Sequence, residues 1–410
     1  TDEVAELVLN DNYRQNQAIS LMERMSVARL GSKQHFIRTL ESQGLLDRQL
    51  EGLPSDAEFT DRKTRGLGLT RPELAVLLSY AKLVIYQQLL DSDVPEDPYL
   101  SRELVRYFPQ VLQERFADLM EEHRLRREII ATAVTNSMVN RMGATFMLRM
   151  QEDTGESPAQ IAKAYSITRE VLDSRAMWAE IDAHDLKVPE SAQIDALMRI
   201  WGLQRHMTRW LLNRPGQRLD IAGMVERLKP GLDTLREQLQ EVLPGELKAA
   251  FDADCEQWVA HGFPADLAAR LAALPHLASA LDIIDVAAAA GREVVEVARV
   301  YFGLGQALHL KWLLEKIEEL PVEGRWHAHA RGVLRDELHA QQTELVTQVL
   351  AAAGADEDDP VARWMERDDP ALKFTLNMFA DMRSQRAMDY PTVQVAVRRL
   401  AQLAAAGERG

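Results

Sequence analysis

A helical spacing of apolar residues runs through almost the whole chain and constrains its fold more than any motif does. In the stretch 70–90, Leu74, Leu77 and Leu78 recur at intervals that place them on one face of a helix. Convincing runs of alternating apolar and polar residues, the pattern of a half-buried strand, are absent. Alanine and leucine are abundant and aromatic residues make up 6% of the chain, which also favours helix over sheet. The sequence therefore predicts an all-α fold, a multi-helix array without a nucleotide-binding sheet.

Two helix starts carry explicit capping signals. Thr70 is followed three residues later by Glu73, and Ser157 is followed three residues later by Gln160. In this spacing the first side chain accepts from a backbone N–H of the first turn, and the second side chain reaches back to the cap residue. Pro158 suits the first helical position, where no N–H is needed. We expect a capping box at both places.

Turn-forming residues interrupt the helical pattern at six places, and everything between them is predicted to be helix. These predicted breaks are 52–68, 91–98, 213–218, 243–246, 320–324 and 354–360.

The chain also resembles itself at a fixed offset of 136 residues. TGESPAQIAKAYSITREVL (154–172) aligns without gaps to AGREVVEVARVYFGLGQAL (290–308). A second pair, FPQVLQERF (108–116) and LPGELKAAF (243–251), matches at an offset of 135 residues. Chance similarity between amphipathic helices is the alternative explanation. The matched positions include Gly155 and Gly291, Ile161 and Val297, Tyr165 and Tyr301, and Leu172 and Leu308.

This repeat predicts two similar helical units in which Tyr165 and Tyr301 occupy equivalent buried sites, since each lies four residues after an equivalent apolar residue. The predicted division has an N-terminal helical segment (1–106), a first repeat unit (107–212), a connector helix (213–241), a second repeat unit (242–348) and a C-terminal helical segment (349–410).

Charge and cysteine content narrow the classes of partner. The formal net charge of −15 argues against a nucleic acid or an anionic membrane as the main partner. A single cysteine, Cys255, cannot form an internal disulfide and fits a reducing cytoplasm. The most apolar stretch, 271–291, is interrupted by Pro275 and Asp282, so no transmembrane span is expected. The first residues, TDEVAELVL, lack a methionine and are already helical in rhythm, as expected of a piece of a longer polypeptide.

Four long segments resemble a known family. They are LLDRQLEGLP (45–54), GLGLTRPELAVLLSYAKL (66–83), HRLRREIIATAVTNSMVNRMGATF (123–146) and VYFGLGQALHLKWLLEKIEELP (300–321). They resemble the C-terminal region of the large bacterial NAD-specific glutamate dehydrogenases, and the resemblance extends from Asn10 to about Arg399. It implies oxidative deamination of L-glutamate to 2-oxoglutarate and ammonium with reduction of NAD, in a parent chain whose regulatory and catalytic domains precede this region.

The sequence contains no motif for the chemistry of such an enzyme. Hydride transfer needs a nucleotide-binding fold and an acid–base group beside the substrate. GLGLT (66–70) has neither the glycine spacing nor the preceding strand of a dinucleotide motif. We therefore predict no catalytic, cofactor-binding or metal-binding residue here, and NAD only in the parent enzyme. The expected role is a helical scaffold that contacts the catalytic domain of the same parent chain and helps to build a homo-oligomer. A free-standing all-α adaptor with a protein-binding surface is the alternative.

Other candidate sites have simpler explanations. His327 and His329 in WHAH, with His339, could suggest a metal, but residues two apart on a helix point in different directions. DEDD (356–359) lacks the spaced ligands and the glycine of a calcium loop, so a solvated linker is expected. HRLRRE (123–128) could bind phosphate, although a solvated helix start is the favoured interpretation. The glutamates expected to balance the charge of this basic segment are Glu121, Glu122 and Glu128. Core packing is expected for the tryptophans on apolar helix faces, which are Trp178, Trp201, Trp210, Trp258 and Trp312.

The polar stretch AVTNSMVNRMGATF (133–146) is the strongest candidate for a specific role. Asn136 and Asn140, continued by Gly143 and Met147, fall on one stripe of a helix. We favour a structural latch over an interdomain contact, and an interdomain contact over an active site. A latch requires buried amides to be tied to neighbouring groups, because an unpaired buried amide costs about 1–3 kcal/mol.

Arg141 has no acid within that stretch and should reach one elsewhere. Glu103 and Glu128 are the candidates near in sequence, and a distant helix is the other possibility.

Overall fold

The chain folds into helices throughout the part that the structure describes. This computed structural model describes residues 2–214, 218–322, 324–353, 359–385 and 387–407. Over those residues it contains 22 α-helices, two 3-10 turns and no strand. The predicted all-α fold is therefore confirmed.

The contacts divide the chain into two compact units, residues 1–227 and 228–410. The first unit contains α1 (Asp2–Arg24), α2 (Leu30–Ser42), α3 (Asp56–Thr64), α4 (Arg71–Leu90), a 3-10 turn (Val94–Glu96), α5 (Ser101–Tyr107), α6 (Gln110–Met120), α7 (Arg126–Met142), α8 (Phe146–Thr154), α9 (Pro158–Val171), α10 (Ser174–Asp182) and α11 (Glu190–Leu212).

Helix α12 (Ile221–Glu237) includes the boundary between the two units. The second unit then contains α13 (Leu239–Val242), α14 (Gly245–Ala260), α15 (Ala265–Ala273), a 3-10 turn (His276–Ser279), α16 (Ala280–Ala290), α17 (Val294–Ala307), α18 (Leu310–Glu319), α19 (Arg325–Ala352), α20 (Pro360–Glu366), α21 (Pro370–Arg383) and α22 (Tyr390–Gly407). The division into five segments made from the sequence stays a prediction.

Each unit has its own helical core. In the first unit α4, α7, α9 and α11 pack together and bury Leu77, Ile130 and Tyr165. In the second unit α16, α17, α19 and α22 form the corresponding centre, with Tyr301 and Leu345 inside. Removing such side chains from water supplies about 25 cal/mol for each Å² of apolar surface. The apolar stripes that predicted the helices therefore also hold each unit together.

The two predicted caps form, but in different ways. At the start of α4 the Glu73 carboxylate accepts the N–H of Thr70 at 2.7 Å, which confirms the box. At the start of α9 the Ser157 hydroxyl accepts the N–H of Gln160 at 3.3 Å. The Gln160 side chain does not return to the cap, because its Oε1 accepts the N–H of Leu219 at 3.2 Å. The expected reciprocal bond is replaced by a tertiary one.

One predicted break contains a helix. Residues 52–68 were expected to be a loop, yet α3 occupies Asp56–Thr64 within them. Ser55 and Glu58 form a full capping box at its start, and Phe59 is buried. This helix is short and mostly polar, so its periodicity is weak, and the capping residues were the signal to follow.

The region around each repeat tyrosine has the same local backbone. Helices α9 and α17 both have 14 residues, and their bounds differ by the predicted offset. Gly155 (φ 75°) and Gly291 (φ 62°) end the preceding helices in the left-handed conformation. Asp173 (φ 51°) and His309 (φ 55°) precede the following helices in the same conformation.

Both tyrosines are buried, with 0% of Tyr165 and 1% of Tyr301 exposed. Their hydroxyl partners differ, since Tyr165 donates to the carbonyl of Ser137 at 2.9 Å whereas Tyr301 lies 3.3 Å from Nδ1 of His339. The local likeness supports the repeat, but duplication of the whole units stays a prediction.

Gly155→Ala should destabilise the first unit by about 1 kcal/mol, because an L-residue is strained at positive φ. A Cβ at this position would meet nothing within 4 Å, so the cost is conformational rather than steric. Gly202→Ala is the matched control, since Gly202 lies inside α11 with equally open space and ordinary helical φ. It should stabilise the chain by about 0.5–1 kcal/mol. Urea unfolding of both variants tests the assignment, and a stabilising Gly155→Ala would contradict it.

Candidate functional site

The predicted polar stripe is shorter than the sequence suggested. Helix α7 ends at Met142, and Gly143 takes φ 86° and ψ 168°, so the chain turns before Phe146 begins α8. The stripe therefore stops at Asn140, and its predicted continuation through Gly143 to Met147 is wrong. A Cβ on Gly143 would lie 3.6 Å from the Met22 side chain, an ordinary contact. Gly143 thus provides the positive φ that the turn requires, and it is not needed for the close approach of another backbone.

The polar face of α7 opens onto a cleft of about 530 Å³ in the first unit. We call it the α7 cleft. The residues that line it include Leu7, Asp11 and Arg14 of α1; Glu103 and Arg106 of α5; Phe108 and Pro109 in the following turn; Thr132, Asn136, Asn140 and Arg141 of α7; and Arg175, Trp178 and Asp182 of α10.

Arg141 ties three helices together at one side of this cleft. Its Nη1 donates to Gln17 Oε1 at 2.5 Å and its Nη2 donates to Asp182 Oδ2 at 3.2 Å. Gln17 Nε2 in turn donates to Asp182 Oδ1 at 2.7 Å, and the guanidinium lies 4.7 Å from the centre of the Trp178 ring. Burial lowers the pKa of Arg141 and the Asp182 carboxylate opposes that effect. Arg141 is therefore the residue that latches α7 to α1 and α10.

The predicted partners of Arg141 near in sequence, Glu103 and Glu128, are wrong. Its acid is Asp182 on α10, as in the distant-helix alternative. Glu103 instead pairs with Arg169 and Arg175. No local pattern indicates this choice, because it follows from the packing of α10 against α9 and α11.

The asparagines do not behave as latch residues. Asn140 is 7% exposed, yet its Oδ1 is buried and has no hydrogen-bond partner within the described residues. Asn136, one turn earlier, is half-buried and lines the same cleft. The prediction that buried amides here are tied to neighbouring groups is wrong for Asn140, because its oxygen is enclosed without a hydrogen-bond donor.

A cluster of arginines around two glutamates lies at the other side of the cleft, and Glu103, Arg106 and Arg175 are its lining members. Glu103 Oε1 accepts from Arg169 at 2.9 Å and from Arg175 at 2.6 Å, and Arg106 lies at 3.4 Å. Arg169, 1% exposed, also donates to Glu170 Oε1 at 2.9 Å. Burial alone would raise the pKa of the Glu103 carboxyl, but the surrounding arginines outweigh it and hold that pKa below its usual range.

This cluster is not among the sites predicted from the sequence. The available signal was Arg169 itself, which lies four residues after Tyr165 and so on the buried face of α9. A charged residue at such a position requires a buried partner.

The chain matches the family model described as glutamate dehydrogenase, C-terminal, over residues 66–402. It belongs to this family. The chain is 39% identical over 412 aligned residues to the NAD-specific glutamate dehydrogenase of Pseudomonas aeruginosa, covering 100% of the chain and 25% of that relative. It is 38% identical to that of Halomonas elongata and 32% identical to that of Mycobacterium tuberculosis, covering 98% and 100% of the chain respectively. It spans a quarter of the length of each of these three relatives.

The histidines considered for a metal have other neighbours in this chain. His327 stacks on the Tyr390 ring at 5.1 Å and His329 meets the Trp326 ring edge-on at 6.2 Å. His339 is buried beside Tyr301, and burial lowers its pKa to about 4. In the described ranges no three His, Cys, Asp or Glu side chains are grouped so as to hold a metal ion. Residues 356–358 of the predicted DEDD linker lie outside those ranges.

The basic segment 123–128 contacts the rest of its unit through Arg127, which donates to the carbonyl of Leu90 at 2.6 Å and pairs with Glu96. The acid is thus on the 3-10 turn and is none of the three glutamates predicted to balance this segment.

The tryptophans agree with core packing in this family member. Trp178, Trp201 and Trp258 are buried, while Trp210 and Trp312 are half-buried.

No single described helix has both the length and the apolar composition to cross a bilayer. The bent pair Ala265–Ala273 and His276–Ala290 reaches that composition jointly, with an angle of 47°.

Arg141→Met should destabilise the first unit by about 2–3 kcal/mol, because the Asp182 carboxylate and the Gln17 amide lose a charged partner. The matched control is Arg14→Met, whose side chain also lines the cleft but is 52% exposed and pairs with Asp11 only at 3.7 Å. That change should cost less than about 0.5 kcal/mol. Chemical unfolding of both variants provides the comparison, and equal effects would mean that Arg141 is no latch.

His339 should make stability depend on pH. Because its folded pKa of about 4 lies below the ordinary value of 6.5, the unfolded chain binds a proton between these values that the folded chain does not. Its contribution is complete above about pH 6.5 and declines by up to about 1.4 kcal/mol per pH unit as the pH falls toward 4. His339→Gln should remove that slope, whereas His123→Gln at an exposed position should keep it. Urea unfolding at pH 7, 6 and 5 measures the slopes, and identical slopes would refute the assignment.

Proposed function

We propose that this chain is the C-terminal helical scaffold of an NAD-dependent glutamate dehydrogenase. The parent enzyme would convert L-glutamate, NAD and water to 2-oxoglutarate, ammonium and NADH, with its catalytic machinery outside this chain. The observation that carries the proposal is the extent of the matches. They cover 98–100% of this chain but only 25% of relatives whose names state that activity.

The geometry of the α7 cleft supports a role other than catalysis. Its lining includes no lysine or histidine, and each of its three carboxylates lies beside an arginine: Glu103 with Arg169, Asp182 with Arg141 and the exposed Asp11 with Arg14 at 3.7 Å. A general base needs a proton-accepting group free to meet the substrate. The described residues contain no strand, so no βαβ unit for a dinucleotide is formed by them.

The partners would be the remainder of the same parent chain and further copies of it in a homo-oligomer. Exposed apolar residues on α6 support a contact surface, since Val111, Phe116 and Leu119 are 51%, 43% and 60% exposed. Scattered apolar residues are normal on a surface, whereas a cluster on one helix is typical of a contact. A cytoplasmic location belongs to the same proposal and is supported by the lone Cys255. The alternative of a free-standing adaptor has less support, because the relatives carry this sequence as a quarter of longer enzymes.

The isolated chain should produce no NADH from L-glutamate and NAD above a blank, as followed by absorbance. The full-length Pseudomonas aeruginosa relative provides the positive control in the same assay. A version of that relative lacking the matched quarter should lose activity together with stable assembly, measured by light scattering after size exclusion. Glutamate-dependent turnover by the isolated chain would overturn the proposal, as would full activity and unchanged assembly of the shortened relative.

A further inference from the structure

The α7 cleft concentrates positive charge in a chain that is otherwise strongly acidic. Its lining includes four arginines, Arg14, Arg106, Arg141 and Arg175, and three carboxylates, Asp11, Glu103 and Asp182. The lining therefore carries an excess of one positive charge, while the chain as a whole carries a formal net charge of −15. Such an excess beside a concave surface attracts an anion.

Among the lining arginines that contact Glu103, Arg106 is the one best able to meet a ligand. Its side chain is 45% exposed and its contact with Glu103 is long, at 3.4 Å. Arg169 is fully enclosed and satisfied by Glu103, Glu170 and Ser137. Arg169 and Arg175 together balance the charges of Glu103 and Glu170, and this leaves the charge of Arg106 available at the cleft.

The cleft also contains a polar group without a partner. The Asn140 side chain is more than nine-tenths buried and lines the cleft, and its Oδ1 has no hydrogen-bond partner among the described residues. Leaving a buried acceptor unpaired costs about 1–3 kcal/mol. Although Oδ1 is enclosed in this arrangement, a half-turn of the amide about its Cβ–Cγ bond would present the oxygen to the cleft, where a ligand that donates a hydrogen bond would remove that cost.

Apolar side chains complete the lining. Leu7 of α1, Phe108 and Trp178 border the same space, which has the volume of a small-molecule site. The Trp178 ring is fixed from one side by the Arg141 guanidinium. A ligand with a flat apolar body would therefore find a preformed surface.

We propose that the α7 cleft binds a small organic anion. Its oxyanion group, a carboxylate or sulfonate, pairs with Arg106, its apolar ring lies against Trp178 and Leu7, and a hydrogen-bond donor on it meets Asn140. The interaction is binding only, with no covalent step. It neither requires nor excludes the enzymatic role proposed above.

The probe for this test is 1-anilinonaphthalene-8-sulfonate, which combines a sulfonate, an N–H donor and aromatic rings. Titrated into the 410-residue chain, it should bind at one saturable site by fluorescence and calorimetry. Arg106→Gln should weaken its Kd about tenfold or more, since a charge-assisted hydrogen bond is lost. Asn140→Leu should weaken it about three- to tenfold, and this change removes an unpaired polar group, so the fold should remain intact.

Two controls separate specific binding from adsorption to apolar surface. Arg65→Gln removes an arginine that is 63% exposed and absent from the cleft lining, and should leave the Kd unchanged. Benzoate should displace the probe whereas benzyl alcohol, which has the same ring without the charge, should not. Raising the salt concentration should weaken binding through screening of Arg106.

The proposal is overturned if Arg106→Gln and Asn140→Leu both bind the probe with the same Kd as the unsubstituted 410-residue chain. It is equally overturned if benzyl alcohol displaces the probe as well as benzoate does, or if no saturable binding occurs. Thermal melts of all variants show whether each one is folded, so loss of binding in a folded variant is attributed to the cleft. The outcome is independent of the glutamate dehydrogenase assay, which measures turnover.

Discussion

The ion pair between Arg169 and Glu103 is the interaction on which the first unit most depends. Taking a guanidinium fully out of water costs several kcal/mol unless an opposite charge and further hydrogen bonds compensate. Here the side chain reaches Glu103 on α5, Glu170 on its own helix and Ser137 on α7. The network joins α5, α7 and α9 at one point, and the position of α7 then determines where its polar face opens. An error in this packing would leave a bare charge in the core, so the arrangement also discriminates against alternative helix packings.

The cleft beside that network follows from the same constraint. One buried carboxylate is shared by three arginines, and Arg141 on the opposite side is matched by a single aspartate. The local charge is therefore positive although the chain as a whole is acidic. Helix α7 contributes to both sides, since Ser137 contacts the arginine network while Asn140 borders the open space. A scaffold built from helices in this way can offer a binding surface without any element of a catalytic domain.

The sequence supported the helices far better than the site. Periodicity and capping residues located α4 and α9, because an apolar stripe and a cap are local properties of a helix. The end of α7 at Gly143 was missed, since the apolar pattern continues past the turn. The partner of Arg141 lies 41 positions away and depends on how α10 packs, which periodicity does not encode. Asn140 was recognised as unusual for the right reason, its polarity on a buried face, but its surroundings required the structure.

The turns before α10 and α18 show that two segments of one chain can keep the same backbone conformation although their sequences differ at that position. Asp173 and His309 share a left-handed torsion but not a residue type, and neither is glycine. Aspartate and histidine are among the few other residues that visit this region with some frequency. The same left-handed backbone conformation at this position is therefore compatible with more than one residue type. Comparison of backbone torsion angles along a chain would therefore detect similar segments even after their amino-acid sequences have diverged.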